Sequence, residues 1–498
     1  MQQFIESYIA TLSGQFFINQ VITILLLVIY GVVFVSIIRG DKLSISDYIL
    51  AYPLSLLVYS ISGYFLLSAG IKFNKYSVII TMAVFLIIVV VFFRKTISIK
   101  CLISKNTLIY IAAAVILSLV SVSGIIPVSV TNDSMYFFSE YPRALVHYEK
   151  LGSILDNFLT DASQGIAILA TLPFFYGFDE IFGVQTLLNL NFLIFFAYAV
   201  HSYVSERLDK KNTYTITAVS IVILLTSMPF VLMSRWFMAN AFFMEYMAVI
   251  LYFAYEFSLK KEISRGDLLI LSVLILGLSI MRMEGALNAG VLILSIMMLK
   301  YKNKDIALYF ISPVLILQSM YLYRIFIKLT LHTKIQFMTK GKAVILIAFL
   351  IVIMLYTLFI RNRLFTNLEK YYKYILVISL LLANLIILLY DRSGYIINLK
   401  AFILNMLKNS GWGLFVPFVA GVFILIPKKS IKINFFDISV ICYILITLIA
   451  GWARGDNLYE SFGDSGNRIM IQAVPVIIFA LIVKVTEGLK YWKEENSD

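Results

Sequence analysis

Long uncharged apolar runs, broken by short polar segments, alternate along this chain from end to end. A helix crosses about 30 Å of hydrocarbon with roughly 20 mostly apolar residues. On that measure the pattern predicts an all-α polytopic transmembrane bundle of about fifteen spans (13–15). They fall near 17–38, 44–70, 77–93, 107–130, 182–203, 213–233, 238–257, 267–281, 286–299, 306–327, 342–360, 373–390, 411–427, 435–452 and 469–485. The spans at 267–281 and 286–299 are short and leave little room for tilt. The first run lacks a basic start and a small-residue cleavage site, so it reads as a retained span. No internal repeat marks an inverted-repeat transporter, and no segment reads as a separate soluble domain.

One apolar stretch, Gln164 to Phe178, is interrupted by Gly165, Pro173 and Gly177. The charges decide how to treat it. If it does not cross, every second loop is short and basic: 39–43, 94–106, 204–212, 258–266, 300–305, 361–373, 428–434 and the tail from Lys484. These hold 25 Lys and Arg in about 77 residues, against 15 in about 132 residues on the other side. Short basic loops face the cytoplasm. The reading is therefore an outer N-terminus, a cytoplasmic C-terminus and a long outer loop, 131–181, whose apolar part lies in the interface or re-enters the membrane.

Composition agrees and narrows the choices. The 498 residues are 61% hydrophobic and 14% charged, with a mean hydropathy of +0.91, which excludes a soluble enzyme with a single anchor. Two distant cysteines, Cys101 and Cys442, exclude a disulfide scaffold or zinc ribbon, and three histidines (His147, His201, His332) argue against a multi-histidine metal site. The net charge of +13 is accounted for by loop orientation rather than by nucleic-acid binding.

The unusual polar residues collect on the outer side. Asp133, in Thr131-Asn132-Asp133-Ser134, follows the span 107–130. A carboxylate there stands at a defined height above the membrane, where a general base acting on a lipid-borne substrate is needed; Asn, Asp and Ser also cap helices, and the two roles can coexist. Residues 135–151 have helical spacing of aromatics, with Arg143 and His147 four apart, and read as an amphipathic surface helix. Asp156 and Asp161 are further carboxylates of the same loop, and either is an alternative base. Arg235 lies in an outer turn before Glu245. Arg282-Met283-Glu284-Gly285 is a tight outer turn, in which Arg282 and Glu284 form an ion pair or bind ligand. Lys334 lies in a further outer loop. The last outer loop, with Asp464, ends in Ser465-Gly466-Asn467-Arg468 at the start of the final span. Glycine-rich backbone with an arginine at a helix start suits an oxygen anion, and the planar guanidinium fork suits phosphate.

These features resemble the GT-C superfamily of integral-membrane glycosyltransferases, which use polyprenyl-phosphate-linked sugars. Three segments carry the likeness. Asn132-Asp133 ends a span before a long outer loop. Arg282-Met283-Glu284-Gly285 is similar to an Arg-Pro-Glu-Gly turn, with Met283 in place of proline. Ser465-Gly466-Asn467-Arg468 through Pro475 is similar to an arginine-led, proline-containing late span. The chain departs in having three spans before the one ending at Asp133, no paired acids at 132–133 and no soluble C-terminal domain. The resemblance implies accessory spans over 1–106, a catalytic unit over 107–485 and a cytoplasmic tail over 486–498. It implies a plasma-membrane enzyme with an outer active site and inverting transfer from a polyprenyl-phosphate sugar to an extracytoplasmic glycan, teichoic acid or lipid. Asp133 matches the base and Arg468 the phosphate binder, with Arg282, Arg235, Arg143 and Lys334 assisting. His147, Asp156, Asp161, Glu284 and Asp464 are acceptor-side or secondary groups. Some members need a divalent metal, and Asp133 with Asp156 or Asp161 offers ligands for one. A polysaccharide polymerase or ligase using a lipid-diphosphate oligosaccharide, and a lipid-linked oligosaccharide flippase or transporter, are the rival readings.

Overall fold

The computed structural model describes residues 14–40, 42–93, 103–122, 141–149, 164–178, 182–236, 239–281, 285–297, 299, 341, 344, 348, 351, 371–408, 411–427, 433–454 and 465–495. Among these residues it is all-helical, with no strand. The first half holds α1 (Gln15–Arg39), α2 (Ile45–Ser68), α3 (Lys75–Phe93), α4 (Lys105–Val122), α5 (Tyr141–Tyr148), α6 (Gln164–Leu169), α7 (Leu172–Tyr176), α8 (Phe182–Ser205), α9 (Lys210–Thr226) and α10 (Met228–Ser234). Then come α11 (Ala239–Ser258), α12 (Arg265–Met281), α13 (Gly285–Met297), α14 (Tyr372–Tyr390), α15 (Arg392–Leu407), α16 (Phe415–Leu425), α17 (Phe435–Arg454), α18 (Ser465–Ile471) and α19 (Val474–Glu495).

Seven helical stretches among the described residues are long and apolar enough to cross a membrane, or eight if the α9–α10 pair, bent by 66°, is one span. They are α1, α2, α3, α8, α14, α17 and the run Gly466–Lys493. This is fewer than the fifteen expected. The runs at 267–281, 286–299 and 411–427 form shorter helices of 17, 13 and 11 residues, and the span expected at 306–327 lies outside the described residues, as does nearly all of that at 342–360.

The core is built around α2, α11, α12 and α19, which are buried along most of their length, while α3 and α14 face outward over most of theirs. Glycine permits the closest crossing: a Cβ at Gly31 of α1 would stand 1.9 Å from the Ala51 carbonyl oxygen of α2. Pro53 lies inside α2 and has no N–H to give the carbonyl of Ile49. Asn191 of α8 replaces it, its Nδ2 donating to Ile49 O at 2.9 Å. In an apolar surrounding such a substitute is needed, because an unpaired backbone carbonyl is costly there.

The helix ends sort into two groups. At the basic end, α2, α12 and α17 open with the same reciprocal cap, in which a carboxylate three residues on accepts the cap residue's N–H. The bonds are Ser44 N to Asp47 at 2.9 Å, Ser264 N to Asp267 at 3.0 Å and Asn434 N to Asp437 at 2.8 Å. Each carboxylate also meets a cation. Arg39 reaches Asp47 at 2.9 Å and Asp267 at 2.5 Å, Lys260 reaches Asp267 at 2.8 Å, and Lys484 reaches Asp437 at 2.7 Å. Arg207 pairs with Glu487 and Lys493 with Asp209 at this same end. At the opposite end, Lys72 pairs with Glu149 and Trp452 Nε1 donates to Asp391. These pairings all join ends that the loop charges assign to one side.

The segment 164–178 is buried rather than superficial. Helices α6 and α7 have six and five residues, too few to cross at about 1.5 Å per residue. They wedge between α1, α2, α5 and α12. Tyr59 of α2 bonds Thr171 at 2.9 Å, Ser60 donates to Gly165 O at 3.1 Å, and Asn19 donates to Gly177 O at 2.9 Å. The segment is therefore packed within the bundle rather than laid over its surface.

Candidate functional site

Two of the sequence-predicted cations, Arg235 and Arg468, are carried at the end opposite the basic one, on short helices that break away from longer ones. Met228–Ser234 bends off α9 because Ser227 and Pro229 stop the preceding helix: the Ser227 backbone is extended, and proline suits a helical first turn. Arg235 caps that short helix, α10, and is exposed. Arg468 sits on α18, which is separated from α19 by the turn at Gln472-Ala473, and is half-buried. The two short helices pack against each other and both touch α11, so Arg235 and Arg468 belong to adjoining elements.

Buried amides and hydroxyls fix this ground. Gln472 of the α18–α19 turn donates through Nε2 to Asn240 Oδ1 of α11 at 2.9 Å. Tyr443 of α17 bonds Gln472 Oε1 at 2.6 Å and Ile469 O at 3.0 Å. Trp412 Nε1 donates to Asn467 Oδ1 at 2.7 Å, tying the residue before Arg468 to the start of α16. On the Arg235 side, Gln185 donates to Ser234 O at 3.0 Å and Trp236 O at 2.9 Å, and Asn189 donates to Ser234 O at 2.8 Å. These bonds consume carbonyls that the break of α10 would otherwise leave unpaired. Together these bonds tie the two broken helices to α8, α11 and α17, while Gln185 Oε1 and Asn189 Oδ1 stay buried without a hydrogen-bonding partner among the described residues.

A carboxyl lies beneath this region. Glu245, six residues into α11, is 1% exposed, and neither of its oxygens has a hydrogen-bonding partner among the described residues. Burying such a group without a partner is costly. Asp391, at the head of α15, is a different case. Trp452 Nε1, the Gly394 N–H and the Ser393 hydroxyl bond it and hold its carboxyl below the usual range.

Arg143 and His147 occupy a second patch. They lie on the exposed side of α5, whose Tyr141, Pro142 and Leu145 are buried, as an amphipathic helix requires. The Arg143 guanidinium stands 5.7 Å from the Phe174 ring of α7, and His147 meets Tyr148 edge-on at 4.9 Å. Glu149, in the left-handed region at φ +53°, ends α5 and accepts the Phe73 N–H at 2.5 Å. The structure therefore places Arg235 and Arg468 on adjoining short helices and seats α5, with Arg143 and His147, over α6 and α7.

Asp133, Asp156, Asp161, Arg282, Glu284, Lys334 and Asp464 lie outside the described residues. Gly285, next in the chain after Glu284, is described, and only glycine fits there: a Cβ would stand 2.0 Å from the Ser279 carbonyl oxygen. Among the described residues no three His, Cys, Asp or Glu side chains gather to hold a metal.

Sequence reasoning passed over the polar residues inside the spans. Asn191, Asn240, Gln185 and Gln472 received no role there, although intramembrane amides signal either a break to be repaired or a site to be held. The Asp47–Arg39–Asp267 cluster was also missed, and its signal was two Ser-x-x-Asp caps beside basic loops. No protein family, curated protein or solved structure matches this chain.

Proposed function

We propose that this chain is a GT-C-like membrane glycosyltransferase that moves a sugar from a polyprenyl-phosphate donor to a glycan, teichoic acid or lipid acceptor. The work is done at the end opposite the basic loops, which in this reading is the extracytoplasmic side of a plasma membrane, with the C-terminus cytoplasmic. The observation that supports it most is the adjoining of Arg235 and Arg468 on two broken, packed helices. Two guanidinium groups on a rigid polar platform suit a phosphate that gains charge as it leaves.

In the step, the acceptor hydroxyl oxygen attacks the anomeric carbon and the bond to the carrier phosphate breaks with inversion. Polyprenyl phosphate departs with the electron pair, and a carboxylate takes the hydroxyl proton. Asp133 is the assigned base, with Asp156 or Asp161 as alternatives from the same loop. Arg468 holds the leaving phosphate, with Arg235 and then Arg282, Arg143 or Lys334 in support.

The test is incubation of the purified protein with a panel of polyprenyl-phosphate sugars, following release of polyprenyl phosphate. Turnover with one donor is expected. Asp133→Asn should cut it by roughly 10²–10⁴-fold while the protein stays monodisperse; retained turnover removes Asp133 as base. Arg468→Ala should weaken donor binding, and unchanged donor affinity counts against its phosphate role.

The rival with an observation of its own is transport of a lipid-linked oligosaccharide. An enclosed carboxyl such as Glu245, without a hydrogen-bonding partner among the described residues, is what a proton-coupled carrier uses. Substrate movement without sugar transfer, abolished by Glu245→Gln, selects that reading.

A further inference from the structure

Between α1, α2, α4 and α8 the surface sinks into a lateral cavity of about 470 Å³, within the roughly 300–1,000 Å³ of cavities that hold small organic ligands. Its lining is almost wholly apolar. Along α4 it runs from Asn106 to Leu117, about 16 Å at the helical rise, which is close to half of a 30 Å hydrocarbon slab, or one leaflet. The rim residues Ile45 and Ile109 are 69% and 57% exposed, as expected of a wall that continues into lipid.

One mouth of this groove is polar and cationic. Leu43, Ile45 and Asn106 line it there, and the exposed lysines Lys42 and Lys105 directly precede Leu43 and Asn106 in the chain. The openings of α2 and α4 are held together at this point, since the Tyr48 hydroxyl bonds Thr107 Oγ1 at 2.8 Å and Ser104 bonds the same atom at 3.0 Å. Both lysines belong to the basic end. An apolar channel about one leaflet long, with two exposed lysines next in the chain to residues of its mouth, matches a ligand with a fatty chain and an anionic head.

We propose that this groove is a binding site for an anionic glycerophospholipid of the leaflet on the basic side. One acyl chain lies along α4 between α2 and α8, and the phosphate is met by Lys42 and Lys105. The proposal stands apart from the glycosyltransferase reading, since it uses no residue of that site and lies at the other end.

The probe is phosphatidylglycerol carrying a photoactivatable diazirine in one acyl chain, incorporated into vesicles with the full-length protein, with the matching phosphatidylcholine as control. After illumination, labelled peptides are mapped by mass spectrometry. Labelling is expected to concentrate on residues 106–117 and 187–194 and to favour phosphatidylglycerol. Neutralising the lysines (Lys42→Gln, Lys105→Gln) should reduce that preference roughly fivefold per lysine. Ala113→Trp, which fills the groove from an exposed position, should remove the concentrated labelling from both lipids; Leu117→Trp serves if that variant is not monodisperse. Labelling spread evenly onto outward-facing helices such as 75–93 and 372–390 overturns the site. Concentrated but equal labelling by the two lipids overturns the anionic assignment, and competition by polyprenyl phosphate but not by phosphatidylglycerol overturns the glycerophospholipid.

Discussion

Asn191 shows how a single side chain earns its place in an apolar interior. It supplies the donor that Pro53 withholds from Ile49 O, so Asn191→Leu should destabilise the fold by about 1–3 kcal/mol, the cost of one unsatisfied buried acceptor. Pro53→Ala restores the internal helix bond, and in that background the loss from Asn191→Leu should largely vanish. Thermal unfolding of the four proteins in detergent closes this cycle, and equal losses in both backgrounds would refute the link. Asp209, at the head of α9, responds to acid instead. The Asn212 N–H and then Lys493 hold its carboxyl down at about 2. A depressed folded pKa gives stability that is present above the ordinary value near 4 and lost as pH falls towards 2. The Tm difference between wild type and Asp209→Asn should therefore be full at pH 6 and shrink below pH 4.

At the scale of elements, the wedge of α6 and α7 rests on close approach. A Cβ at Gly63 of α2 would stand 2.4 Å from Ile168, and one at Gly165 would stand 2.9 Å from the Met281 sulfur. Gly63→Leu should lower stability by about 1–3 kcal/mol or more through overpacking and loosen the wedge. The readout is the thiol of Thr171→Cys, buried in the parent and expected to become reactive in the Gly63→Leu background; continued protection would mean that the wedge holds by other contacts. Much of this level was legible beforehand. The length of the apolar runs located α1, α2, α3, α8, α14 and α17, and Pro173 and Gly177 bracket the short helix α7. Span number was less legible, because an apolar run at 411–427 and an 11-residue helix, α16, look alike to a hydropathy window. Side-chain repair of backbone breaks, as by Gln185 and Asn189 at Ser234, was not legible at all, since it joins residues some 45 positions apart or more that no local pattern connects. Arg235 and Arg468 were legible as residue types, but the packing of the two short helices that carry them depends on helix breaks that meet only in the folded bundle.

The whole molecule has two chemically different ends. Pairing among helix termini is segregated: Arg39, Lys260, Lys484 and Lys493 find their acids at one end, and Lys72 finds Glu149 at the other. Cysteines introduced for Lys72 and Lys408 should therefore react with an impermeant maleimide from one side of sealed vesicles, and those for Lys211 and Lys261 only from the other. Reaction of both sets from a single side would break the two-ended arrangement on which the proposed active face and the lipid groove both depend.

Arg39 also bears on biogenesis. Its guanidinium holds two acids, one eight residues downstream and the other 228 residues downstream, so during synthesis the near partner is available long before the distant one. The first hairpin must enter the bilayer with a half-satisfied cation at its base, and the clasp closes only when α12 emerges. A ribosome stalled before that helix would leave a nascent chain with its keystone unset, an intermediate suited to capture by an insertase.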